Sequence, residues 1–124
     1  MISTDFNMLQ ILDATTLEPK RLLTYADIDP ELAGFGICAH PVKDRELGHQ
    51  YNYLISKEGV MYIFSLDFKA NPAKLVWKTA IPCPPCYIHS LAMTQEYVVF
   101  VRNVSCCYPI LPQKTWLRFM WFEC

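Results

Sequence analysis

Residues 50–68 read Gln50-Tyr-Asn-Tyr-Leu-Ile-Ser56, then Lys57-Glu58-Gly59, then Val60-Met-Tyr-Ile-Phe-Ser-Leu-Asp-Phe68. This stretch decides the fold class. From Val60 onward, Tyr62, Phe64, Leu66 and Phe68 fall on one face, and Met61, Ile63, Ser65 and Asp67 on the other. A period of two is the signature of a strand, because successive side chains of extended backbone point to opposite faces. Gln50 to Ser56 reads as the preceding strand. Lys57-Glu58-Gly59 is a tight hairpin turn, with Gly59 placed to take a positive φ. Upstream, Val42 to His49 is a charged turn closed by Gly48, and Phe35 to Pro41 is a short strand. Downstream, Ala70-Asn-Pro-Ala73 is a turn, and Leu75 to Ile81 is a fourth strand. Four consecutive antiparallel strands make a meander.

The flanks continue the theme. Phe6 to Leu12 is an apolar segment, Asp13-Ala-Thr-Thr16 a turn held by its own side chains, and Pro19 to Tyr25 a strand. The loop from Ile28 to Gly34 is broken by Pro30 and Gly34. After a Pro-rich connection, Tyr87 to Met93 is a strand, Thr94-Gln-Glu96 a turn, and Tyr97 to Arg102 a buried strand. The expected class is all-β. One four-stranded unit followed by the start of another points to a β-propeller, whose blades are four-stranded meanders.

The 124 residues suit a single domain by length. They are 52% hydrophobic and 19% charged, enough apolar content to argue against disorder. Eleven Lys and Arg oppose twelve Asp and Glu, so no basic field is available for phosphates and nucleic acid is not an expected partner. Apolar runs are strand-length, so no transmembrane segment is expected. The first residues, Met1-Ile-Ser-Thr-Asp5, carry neither a basic region nor a long apolar core of a secretory signal. A cytoplasmic location with reduced thiols is the expectation for the six cysteines at 38, 83, 86, 106, 107 and 124. Cys83-Pro-Pro-Cys86 has CxxC spacing with His89 close behind. Zinc needs four ligands, and the adjacent pair Cys106-Cys107 lacks ribbon spacing. A redox CxxC belongs at a helix start, and here the surroundings are extended. A zinc site on Cys83, Cys86 and His89 is therefore a minor reading.

His40 precedes Pro41, which holds it extended and places its strand at a sheet edge, since proline cannot donate to a ladder. The innermost strand of a propeller blade is such an edge, facing the central axis. His89 shares a strand face with Leu91 and Met93. His40 and His89 are 49 residues apart, within the usual blade repeat. The ordinary reading of each is a hydrogen-bonded rim residue; their repetition at the blade period strengthens the case for metal ligation without displacing that reading. His49, in Glu46-Leu-Gly-His-Gln50, is expected to be solvated.

Three motifs in order carry a family resemblance. Ala39-His40-Pro41, with Asp44, Gly48 and Asn52, resembles the "AHP…D…TG…N" stretch of the carotenoid cleavage oxygenases. Tyr87-Ile-His89-Ser-Leu-Ala-Met-Thr94-Gln-Glu-Tyr97-Val-Val-Phe100 resembles their "YxHSFxxTxxYxVF". Thr4-Asp5, Leu12-Asp13 and Thr16-Leu17-Glu18 resemble their "TD…D..TLE" hairpin. The resemblance covers about Thr4 to Asn103, with wording nearest to fungal members, including stilbene-cleaving ones. It implies a seven-bladed propeller with a non-haem Fe(II) on its axis held by four His from four blades. It implies O2 at the open position and cleavage of a conjugated C=C bond of a carotenoid, apocarotenoid or stilbene to two carbonyls; one branch isomerises retinoids instead. On this resemblance His40 matches the first iron ligand and His89 the second. The Glu residues that orient family ligands have no counterpart that the sequence assigns.

The chain departs from the family in two places. No His follows His89, so two of four ligands are missing from the sequence. Asp44 and Glu46 lie in the turn leaving the first histidine and are not expected to complete the site. Two ligands alone would hold Fe(II) weakly and exposed. The expected division is 1–103, a partial propeller of about one complete blade with parts of two neighbours, and 104–124, a non-family tail. A membrane anchor is opposed there by Lys114, Arg118, Pro109 and Pro112; the abrupt end of the resemblance favours a translated non-coding stretch, such as a retained intron. The expectation is thus a truncated dioxygenase fragment, marginal in solution and inactive alone, with exposed blade faces bearing Tyr62, Phe64, Trp77 and Phe100. The alternative is a non-catalytic β-module without metal.

Overall fold

The computed structural model describes residues 1–102 and 118–123, and these contain no α-helix. Strands β1 (Ile2–Ser3), β2 (Leu9–Leu12) and β3 (Pro19–Leu23) form one sheet in that order. Strands β4 (Val42–Lys43), β5 (His49–Ile55), β6 (Met61–Asp67) and β7 (Lys74–Ala80) form the central one. Strands β8 (Leu91–Met93), β9 (Tyr97–Arg102) and β10 (Arg118–Glu123) form the third, ordered β10-β9-β8. Pairing is antiparallel except between β9 and β10, which run parallel from Tyr97 opposite Arg118 to Arg102 opposite Glu123. Of the expected tail, residues 104–117 and Cys124 lie outside the described residues, while 118–123 form β10. Among the described residues no sheet closes on itself. An all-β chain with a four-stranded meander at its centre is consistent with a piece of a propeller.

The central sheet follows from the period-two pattern. Asn52 pairs with Phe64 and Leu54 with Tyr62, whereas Tyr53 pairs with Ile63 and Ile55 with Met61. Cross-strand partners share a face, so the two sets separate onto opposite sides. Phe64, Leu66 and Leu54 meet Leu9, Tyr25, Leu32 and Ile37 of the first sheet and its loop. Tyr51, Tyr53, Met61 and Ile63 meet Ile88, Leu91, Val98 and Phe100 of the third. Both faces are therefore covered from within this chain. Phe64 and Phe100, expected on exposed blade faces, are buried, and Tyr62 and Trp77 are half-buried. Burying a side chain of Phe64's size contributes about 2–3 kcal/mol. Phe64 also meets the Tyr25 ring edge-on, centroids 5.0 Å apart.

Turn chemistry agrees with the sequence. Gly59 takes φ +75 in the β5–β6 hairpin, and Gly48 takes φ +78 where the Asp44 turn ends. Gly34 serves a different need: a Cβ there would strike the Ile55 carbonyl oxygen. The loop it ends is fixed by buried Asn7. Its Nδ2 donates to the carbonyls of Leu32 (3.2 Å) and Gly34 (3.0 Å), and its Oδ1 accepts from Tyr25 N (2.8 Å).

Several boundaries differ from expectation, the first being β2, which begins at Leu9 and not Phe6. Phe35 to Pro41 is not a strand; the edge strand is β4, inside the expected charged turn. Tyr87 to Met93 shortens to β8. Tyr25 leaves the expected second strand to begin a 3-10 turn, Tyr25–Asp27. Gly36 makes only isolated bridges, to Phe6 and to Ile55 of β5, and elsewhere in these segments side chains take up backbone groups. Cys38 N–H donates to Asn52 Oδ1, Ala39 N–H to Asp5 Oδ1, and Ile88 N–H to Tyr53 OH. Such local partners compete directly with a ladder. His49, expected in a solvated turn, is the half-buried first residue of β5.

Candidate metal centre

His40 and His89 each stand two residues before the edge strand of their sheet, before β4 and β8 respectively. A parallel bridge pairs His40 with Ser90 and joins the two segments. The imidazole rings consequently meet, with centroids 4.8 Å apart and planes inclined at 72°. Both residues are exposed. The two histidines picked out by sequence are therefore brought together from separate sheets.

One imidazole is oriented by a carboxylate that the sequence does not assign to it. Asp5, in the segment after β1, places its oxygens 3.2 Å from His89 Nδ1. Tyr87 OH donates to Asp5 Oδ2 (2.9 Å) and lies 2.8 Å from His89 Nδ1. With the Tyr87 hydroxyl proton on Asp5, a proton on His89 Nδ1 would be shared between the Asp5 carboxylate and the Tyr87 oxygen, leaving Nε2 as the nitrogen open to a metal. Carboxylates that hold a ligand imidazole in this way fix its tautomer and raise its basicity. Burial pushes Asp5 upward, but hydrogen bonds from Tyr87 and Ala39 N–H, with His89 alongside, outweigh it and hold the carboxyl below its usual range. The Asp5 hydrogen bond and the same burial raise the Tyr87 phenol. The signal for Asp5 was the Thr4-Asp5 motif, but its partner lies 84 residues away, and spacing carries no such information.

Beneath the rings lies Cys38, fully buried. Its thiol donates to the His89 carbonyl (2.9 Å) and its sulfur accepts from His40 N–H (3.2 Å). Burial raises the Cys38 thiol, which keeps it a protonated donor at neutral pH. Asn52 makes a two-point clamp on the same residue, accepting from Cys38 N–H (3.0 Å) and donating to Cys38 O (3.0 Å). Cys83 packs in the core and Cys86 at its margin. Among the described residues no three His, Cys, Asp or Glu side chains are grouped to hold a metal, so Cys83, Cys86 and His89 do not assemble the zinc set weighed above. Asp44 turns back on its own loop, accepting from Glu46 and Leu47 N–H, as expected of a residue outside the site.

The donor chemistry fits a transition metal that prefers imidazole: two imidazole rings lie side by side, one with its Nδ1 engaged by Asp5 and Tyr87. A sequence model of the retinal pigment epithelial membrane protein family matches residues 1–119. The chain belongs to this family, the carotenoid oxygenases. Among curated carotenoid oxygenase relatives, it is 28% identical to a torulene dioxygenase of Fusarium fujikuroi over 107 residues, 84% of this chain and 18% of the relative. It is 29% identical to a carotenoid dioxygenase of Neurospora crassa over 107 residues, again 84% of this chain and 18% of the relative. The chain thus spans 18% of the length of the relatives it matches.

Proposed function

We propose that this chain is the His40- and His89-bearing portion of a non-haem Fe(II) dioxygenase that cleaves a conjugated C=C bond of a carotenoid, apocarotenoid or stilbene with O2. The observation that carries this reading is the convergence of the two rings at 4.8 Å with Asp5 and Tyr87 on Nδ1 of one of them. His40 and His89 would hold the metal, His89 through Nε2. Iron bound there would supply O2 activation, the cleaved C=C bond and one O2 giving two carbonyls. Asp5 holds the His89 ring in one tautomer and balances part of the positive charge. Membership of the family and relatives named as torulene and carotenoid dioxygenases support the substrate class.

The 124 residues contain no His after His89. Two imidazoles leave a metal exposed and weakly held, so the chain by itself is expected to be inactive. The test is anaerobic Fe(II) binding with cleavage assayed on addition of O2 and a carotenoid or stilbene. Weak Fe(II) binding that disappears in His40→Ala and His89→Ala, with no cleavage, is the expected result. Binding that neither substitution alters overturns the ligand assignment and leaves a non-catalytic β-module. Cleavage by the chain alone overturns its inactivity.

A further inference from the structure

The two histidine segments belong to different sheets and are joined on the backbone by the His40–Ser90 bridge, and a buried side chain braces the same joint. The geometry points to Cys38, held by Asn52, as the positioning residue that sets the His40–His89 spacing. This inference deepens the metal reading above and rests on it for its functional meaning, though not for its geometry. Cys38 bonds both segments at the histidines themselves: its sulfur takes the His40 N–H, and its thiol proton goes to the His89 carbonyl. One side chain thus ties down the backbone of both candidate ligands. Cys38 in turn has no freedom to drift. Asn52 holds its N–H and its carbonyl, and donates its remaining Nδ2 hydrogen to Tyr25 OH (3.2 Å). The Asn52 oxygen also accepts from Tyr53 N–H (2.8 Å), so the amide uses its full hydrogen-bonding capacity. Asn52 is itself fully buried on β5 of the central sheet. The chain of contacts therefore runs from the central sheet, through Asn52 and Cys38, to the backbone of both histidines. Sites of this kind lose function when the groups behind the ligands loosen, even with every ligand present.

The test compares Cys38→Ser and Cys38→Ala in the full chain. Serine keeps a donor and an acceptor; alanine keeps neither. Both are smaller than cysteine, so a role in packing alone predicts that serine is tolerated no better than alanine. Two readouts are used: the nuclear Overhauser contact between the His40 and His89 rings, without metal, and the affinity for Co(II) as a probe ion. Cys38→Ser should keep the ring contact and stay within about threefold of the parent in Co(II) affinity. Cys38→Ala should lose the ring contact and bind Co(II) at least about tenfold more weakly, the scale seen when groups behind metal ligands are removed. A ring contact and affinity unchanged in Cys38→Ala overturn the inference, as does equal loss in both variants. If His89→Ala leaves Co(II) affinity unaltered, the ligand reading fails instead, and the metal-free ring contact alone decides the role of Cys38. If Cys38→Ala does not fold, Cys38→Ser decides: retention of the ring contact supports the inference, and loss with an intact core overturns it.

Discussion

Removing the Asn52 side chain tests how far the centre depends on the sheet behind it. Asn52→Ala deletes the partner of Cys38 N–H and of Cys38 O, both in the buried interior. Tyr53 N–H loses an acceptor, while Tyr25 OH keeps a donor in Gln50 Nε2 at 3.1 Å. Each orphaned buried backbone group costs about 1–3 kcal/mol, so the two on Cys38 set an expected loss of about 2–6 kcal/mol. That is a large share of the roughly 5–15 kcal/mol that holds a domain folded. The assay is urea unfolding followed by far-ultraviolet circular dichroism, read as a fall in midpoint at constant slope. The near-isosteric Asn52→Asp adds a sign. Its carboxylate would put lone pairs against the Cys38 carbonyl, and burial raises its folded-state pKa above the unfolded value of about 3.9. A raised carboxyl is destabilising while ionised. The defect of Asn52→Asp should thus be full at neutral pH and relieved as pH falls through the raised value. If Asn52→Ala stays within about 0.5 kcal/mol of the parent, or if Asn52→Asp shows no recovery on acidification, the clamp does not bear on stability and the reasoning fails.

Three further outcomes are expected. Phe64→Ala should cost about 3–5 kcal/mol in the same unfolding assay, because Phe64 is fully buried between the central sheet and Tyr25; a loss below 1 kcal/mol would mean that face is not packed as described. Asp5→Asn should weaken Co(II) binding about 10- to 100-fold and shift the His89 tautomer seen in nitrogen-15 spectra, since the anchor on Nδ1 loses its charge; unchanged spectra would remove Asp5 from the centre. Asp13, hydrogen-bonded by Lys20 and by the Thr16 and Thr15 N–H groups, has its carboxyl lowered to about 2. Its stabilising contribution is therefore present above the ordinary value of 3.8 and lost as pH falls through about 2, and Lys20→Met should raise the value read by carbon-13 titration.

The all-β class and the central meander were legible in the amino-acid pattern, and the spacing of motifs singled out His40 and His89 as candidates. Those properties are local: the alternation from Met61 to Phe68 forces opposite faces on any extended backbone, and Gly59 permits only a few turns. Local pattern misplaced the first strand. Residues 37–40 look as extended as a strand, but Asp5, Asn52, Ser3 and Cys38 take their backbone groups, and the ladder forms only at Val42. The tertiary structure alone decided what the histidines face. Asp5 reaches His89 across 84 positions of sequence, and Cys38 reaches it across 51. Hydrogen bonds and ring contacts act over a few ångströms of space, so residues far apart in the chain acquire partners only once the sheets have packed.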